Sequence, residues 1–85
     1  MKGATVAYLK DHTLYYKKSC PFCQKVLRFM EENGITLDMR DTTQPGIQND
    51  LVCIGGKKQV PCLVIDGKAL YESDDIIAYL AKKIG

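Results

Sequence analysis

Ser19-Cys20-Pro21-Phe22-Cys23 decides how this chain is read. Upstream, Thr13 to Lys17 is rich in strand formers. Downstream, Pro21 to Asn33 carries Val26, Leu27, Phe29 and Met30 at helical spacing. Cys20 therefore falls where a strand gives way to a helix. Proline suits the first helical position, where no amide hydrogen is needed, and this puts Cys20 at or beside the N-cap. The leading N–H groups of a helix lack intrahelical acceptors and carry the positive end of its dipole. A thiolate there is stabilised, so its pKa should fall below the ~8.5 of a free thiol. Lys17 and Lys18 add positive charge. Cys23 lies one turn deeper, within reach of a disulfide formed at Cys20. The pattern is that of an exposed nucleophile backed by a buried resolving thiol.

Other uses of such a cysteine pair fit less well. Structural zinc wants four Cys or His ligands in paired spacings. Here the remaining cysteines are Cys53 and Cys62 and the only histidine is His12, so no metal is expected. A structural Cys20–Cys23 disulfide would close too short a loop to add much stability. Cys62 reads as a small buried hydrophobe.

The flanking elements complete a pattern. Residues 1–11 read as an appendage to the domain, and Thr13 to Lys17 as the first strand. Gly34 stops the first helix. Ile35 to Arg40 alternates, placing Ile35, Leu37 and Met39 on the core face of a second strand. A second helix is expected from about Pro45 to Ile54, capped by Thr42 or Thr43 and ended by Gly55-Gly56. Cys62-Leu63-Val64-Ile65 is a continuous apolar run, as in a buried strand. Asp66-Gly67 is a hairpin signal, with Lys68 to Tyr71 returning. Ser73 is expected to cap a last helix to about Lys83, with Ile76, Ile77, Tyr79, Leu80 and Ile84 as its apolar stripe. Asp74 and Asp75 at its start and Lys82 and Lys83 at its end complement the dipole.

The order β-α-β-α-β-β-α implies an α/β fold with a mixed four-stranded sheet and helices on both faces. Eighty-five residues make one small domain. A net charge of +2 gives no reason to expect nucleic-acid or membrane binding. Four cysteines are too few for a disulfide-stapled scaffold, and no leader or spanning segment is visible. The expected setting is cytoplasmic, where thiols stay reduced, and the expected state a monomer.

Three motifs, Cys20-Pro21-Phe22-Cys23, Val60-Pro61 and Tyr71-Glu72-Ser73-Asp74-Asp75-Ile76, resemble glutaredoxin in order and spacing, across residues 12–84. The resemblance implies a thioredoxin-like fold and glutathione-dependent thiol–disulfide exchange with disulfide-containing or glutathionylated proteins. It implies Cys20 as nucleophile and Cys23 as resolving thiol. By the same resemblance, Lys17 meets the glycine carboxylate of glutathione. Phe22 stands where the family most often has tyrosine. Pro61 is the cis-proline, the Val60 backbone pairs with the cysteinyl unit, and Ser73 and Asp74 hold the γ-glutamyl end. Tyr71-Glu72 departs from the Gly-Gly that many glutaredoxins carry. Glu72-Ser73 looks more like glutathione transferase N-terminal domains, where a full transferase adds a helical domain. Two alternatives stay open: reduction by thioredoxin reductase, and an iron–sulfur cluster shared between protomers. Pro21 speaks against the cluster, because cluster-binding relatives tend to lack proline there.

Overall fold

The computed structural model describes residues 7–84 of the chain. The elements run β1 (Ala7–Tyr16), α1 (Pro21–Glu32), β2 (Ile35–Asp41), α2 (Ile47–Gly55), β3 (Cys62–Ile65), β4 (Lys68–Leu70) and α3 (Ser73–Ile84). This is the expected order. The sheet reads β2-β1-β3-β4 across. β1 and β2 are parallel, joined through α1, while β1–β3 and β3–β4 are antiparallel. Asp66 and Gly67 turn the β3–β4 hairpin with φ of 51° and 85°, the two positive values that match the twist of the flanking strands.

Alternation along the strands splits the core in two. On one face, Leu14 and Leu63 pack with Ile35 and Leu37 of β2, Val26 and Met30 of α1, and Ile76 and Leu80 of α3. On the other, Tyr15, Cys62 and Val64 pack beneath Leu51 of α2. Helices thus cover both faces of one mixed sheet, the thioredoxin-like architecture. Leu14, Leu63, Ile76 and Leu80 are fully buried, each contributing about 1.5–3 kcal/mol by transfer from water.

Several local expectations are corrected. β1 starts at Ala7, so residues 7–11 belong to the sheet; residues 1–6 of the expected appendage lie outside those described. Ala7 and Tyr8 pair with Ile35 and Thr36, the register then slips, and pairing resumes at Thr13 with Asp38. Asp11, with φ 64°, sits in that bulge. The polar run Lys10-Asp11-His12 hides the strand from a hydropathy reading. His12 is buried because its polar atoms are satisfied. Its Nδ1 lies 2.7 Å from the Lys10 carbonyl, to which only an N–H can bond, and its Nε2 lies 2.8 Å from the Tyr79 hydroxyl.

Met39 shares the parity of Ile35 and Leu37 but is 38% exposed. It lies toward the end of an edge strand, with a neighbouring strand on one side only. The second helix begins at Ile47 behind Gly46, whose φ of 82° breaks the run from Pro45. Neither threonine caps it: the Thr43 N–H and hydroxyl donate to the Asp41 carboxylate (2.9 and 2.7 Å), and the Thr42 hydroxyl to the Tyr16 carbonyl. β4 ends at Leu70, one residue before Tyr71. Ser73 is the first residue inside α3, not its cap. The Glu72 carbonyl accepts the Ile76 N–H at 3.0 Å, and Glu72 has φ 70°, an uncommon conformation for a residue with a side chain. The side chain of Ile84 lies outside those described.

Candidate functional site

Cys20 is the N-cap of α1 and Pro21 its first helical residue. The Cys20 carbonyl accepts the Gln24 N–H at 3.0 Å, and the Cys20 N–H donates to the Lys17 carbonyl at 3.0 Å. These bonds hold the half-buried thiol at the helix tip. Burial by itself would raise the Cys20 pKa. The backbone N–H and thiol of Cys23, the Phe22 N–H and the Lys17 charge outweigh burial and bring it below the ordinary thiol value. Cys23, one turn on, has no exposed surface. Burial, followed by the hydrogen bond and charge of Cys20, pushes its thiol up to about 12. Both thiols are free, as are Cys53 and Cys62. The pair is therefore split: the Cys20 thiol lies below the ordinary value and the Cys23 thiol well above it.

The Cys20 thiol faces the Val60 carbonyl at 4.0 Å. The Val60–Pro61 bond is cis, as the resemblance implied. Beside it lies a groove of about 370 Å³ lined by Phe22, Lys25, Gln59, Val60, Pro61, Glu72, Ser73 and Asp74. Five of the six expected binding residues meet there. Phe22 lies 61% exposed, with its ring available to a ligand. Lys17, the sixth, lines a neighbouring groove of about 270 Å³ with Thr42, Thr43, Gln48, Leu51 and Lys58. Val60 borders both grooves. An extended peptide laid along Val60 would have Lys17 and Lys58 on one side and the α3 N-terminus on the other. Such a peptide could pair with exposed backbone in strand fashion.

Sequence reasoning missed Lys25, Gln59, Glu72 and Lys58 as groove residues. Gln59 adjoins the Val60-Pro61 motif and Glu72 lies within the motif that opens α3, and those positions were the available signal. The Gln59 amide donates to the Glu72 carboxylate at 3.2 Å. Lys25 gave no local signal, because its partner Asp74 lies 49 residues away. Cys62 lies outside the groove, buried on the α2 face, where burial raises its pKa despite a hydrogen bond with Tyr71.

Comparison with known proteins agrees with this geometry. The chain matches the glutathione S-transferase N-terminal domain over residues 14–85. It is 36% identical over 64 residues to the chloroplastic glutathione S-transferase DHAR3 of Arabidopsis thaliana, covering 75% of this chain and 25% of that protein. The chain thus spans about a quarter of the length of that curated relative. Among solved structures, glutathione S-transferase 1-6 of Anopheles dirus species B superposes with a TM-score of 0.72 at 27% identity, covering 86% of this chain and 36% of that one. A buckwheat glutaredoxin in complex with glutathione superposes with a TM-score of 0.66 at 20% identity, over 87% of this chain and 71% of that one, a likeness of fold. With a family match over most of its length and the sheet, cis-proline and helix-tip cysteine described above, the chain belongs to the glutathione S-transferase N-terminal domain family, a thioredoxin-like domain with glutaredoxins among its structural neighbours.

Proposed function

We propose that this domain binds glutathione and catalyses glutathione-dependent thiol–disulfide exchange through Cys20 and Cys23. The observation that carries the reading is the split thiol pair at the tip of α1, with the low-pKa member facing the Val60 carbonyl at 4.0 Å. The Cys20 thiolate attacks the glutathione sulfur of a glutathionylated protein. A Cys20–glutathione disulfide forms, and the protein thiolate leaves and takes up a proton. A second glutathione, as thiolate, attacks that disulfide, releasing oxidised glutathione and regenerating the Cys20 thiolate. For a protein disulfide, Cys20 forms the mixed disulfide. One substrate sulfur leaves in that step as a thiolate and takes up the proton that Cys23 gives up; the Cys23 thiolate then attacks the Cys20 sulfur and expels the second substrate thiolate, leaving a Cys20–Cys23 disulfide that two glutathione molecules reduce as they become oxidised glutathione. The high pKa of Cys23 suits it to wait protonated until the mixed disulfide forms.

Phe22, Val60, Pro61, Ser73 and Asp74 form the bed for the peptide in this reading, and Lys17 meets its carboxylate from the adjoining groove. The reading places the domain, as a monomer, in a thiol-reducing setting such as the cytoplasm. The glutathione S-transferase and glutaredoxin relatives support the choice of thiol. A glutathione-coupled assay on a glutathionylated peptide tests it. Cys20→Ser should abolish turnover and Cys23→Ser should retain it, because glutathione resolves the intermediate. Turnover surviving Cys20→Ser rejects the assignment. Running the assay with thioredoxin reductase in place of glutathione tests the alternative donor.

A further inference from the structure

β2 is the long edge of the sheet. Among the described residues it has a neighbouring strand on one side only, and it runs for seven residues against three for β4 at the other edge. An unpaired edge offers its N–H and C=O groups to any second strand, and proteins commonly blunt it with proline, a bulge or charge. β2 has no proline, and the slip in its pairing falls between Tyr8 and Thr13 of β1. Its mid-strand charges, Asp38 and Arg40, are of opposite sign, so they do not deter a second copy of the same strand. Alternation puts these two on one face of the strand and Leu37 and Met39 on the other. Leu37 is buried, while Met39 is left exposed. The Tyr8 hydroxyl donates to one Asp38 oxygen at 3.0 Å and holds that carboxylate in place. Among the described residues the Lys25–Asp74 ion pair involves neither Asp38 nor Arg40.

We propose that β2 is an interface between two copies of this chain, joined edge to edge in antiparallel pairing about Met39. The register follows from charge. In such a pair the two-fold axis sets one residue of β2 against itself. An axis at Asp38 faces two carboxylates, and an axis at Arg40 faces two guanidinium groups; like charges directly opposite repel. An axis at Leu37 sets Asp38 against Thr36 and carries Arg40 past the start of the facing strand, so no charges pair. An axis at Met39 sets Asp38 opposite Arg40 on both sides of it and lays Met39 on Met39. One register thus matches both charges and covers the exposed methionine. Asp41 stays turned to Thr43. No residue of the groove beside Cys20 lies on β2, so each copy keeps its own site. A ladder over residues 37–41 is small beside the ~1,200–2,000 Å² of a stable interface. The pair therefore forms reversibly at high concentration, and the dilute enzyme is the monomer proposed above. This interface goes beyond the thiol chemistry and does not depend on it.

The test is sedimentation velocity from about 10 µM to about 1 mM, under reducing conditions so that the exposed Cys53 forms no cross-link. Circular dichroism checks that each variant is folded. The wild type should pass from monomer toward dimer across that range. Arg40→Asp and Asp38→Arg each set like charges opposite one another and should weaken dimerisation at least about tenfold. An equimolar mixture of these two variants restores both opposite-charge pairs and should associate as the wild type does. The double variant Asp38→Arg/Arg40→Asp, in which the charges change places, should do the same. Met39→Lys sets lysine against lysine and should abolish the dimer while leaving the alkylation rate of Cys20 unchanged. A wild type that stays monomeric at about 1 mM overturns the proposal. So does a dimer that neither single charge reversal weakens, or a mixture of the two that associates no better than its components.

Discussion

Alkylation of the two motif cysteines at neutral pH gives a direct measure of the split between them. Cys23 has no exposed surface, and its thiol is pushed up to about 12. At pH 7 such a thiol is ionised in about one molecule in 10⁵, against about 3% for a free thiol of pKa ~8.5. The deficit is about 3,000-fold. A more basic thiolate is a better nucleophile, and a Brønsted coefficient of about 0.45 returns about 40-fold of it. Ionisation and basicity together therefore make Cys23 about 80-fold slower than a free cysteine, before the packing over it slows access further. Cys20 moves the other way, because its pKa lies below the ordinary value and its sulfur is partly open. The assay is iodoacetamide labelling of reduced Cys53→Ser protein, which removes the exposed thiol on α2. Rates are read peptide by peptide in mass spectrometry against an unstructured cysteine peptide. The Cys20 rate should rise with pH and level off at a lower pH than that of the peptide, while Cys23 stays almost unlabelled. A Cys23 rate within tenfold of the peptide's, or a Cys20 profile that coincides with it, refutes the argument.

Further outcomes follow from the packing and the protonation states. Because the folded state holds the Cys23 proton more tightly than the unfolded chain, this group stabilises the fold below about pH 8.5. That contribution fades toward about 12 at about 1.4 kcal/mol per pH unit. Urea titrations from pH 8.5 upward should therefore show a shallower decline in Cys23→Ala than in the parent, and parallel declines would count against it. A Cβ at Gly55 would press into the Tyr71 ring and hydroxyl and touch Ala69, so Gly55→Ala should cost about 1–3 kcal/mol. Most of that cost should vanish in a Tyr71→Leu background, and an unchanged penalty there would mean the strain lies elsewhere. His12→Ala strips the Tyr79 hydroxyl and the Lys10 carbonyl of their partner and should cost about 1–3 kcal/mol in thermal or urea unfolding. Leu80→Ala, at a fully buried site between helix and sheet, should cost about 2–5 kcal/mol; a loss under 1 kcal/mol would contradict the core described.

What the sequence determined by itself was whatever short stretches of chain encode. Proline after Cys20 set the helix start and so the thiol at its tip. Gly34 stopped that helix with φ 65°, and Asp66-Gly67 turned the hairpin. The period of the apolar residues gave seven elements in order, and the three motifs named five residues that meet in one groove. These signals are local because helix ends, turns and amphipathic faces depend on neighbours within a few residues. Tertiary structure decided the rest. Pairing of Ala7 and Tyr8 with β2 and of His12 with β3 drew residues 7–12 into β1, against the polar run Lys10-Asp11-His12. Position at the sheet edge left Met39 exposed despite its parity. The unusual φ of Glu72 moved the start of α3 one residue from the expected cap, placing Ser73 inside the helix. The groove was divided at Val60, with Lys17 on the far side and Lys25 on Asp74. Each of these depends on residues far apart in sequence that meet only once the sheet has assembled.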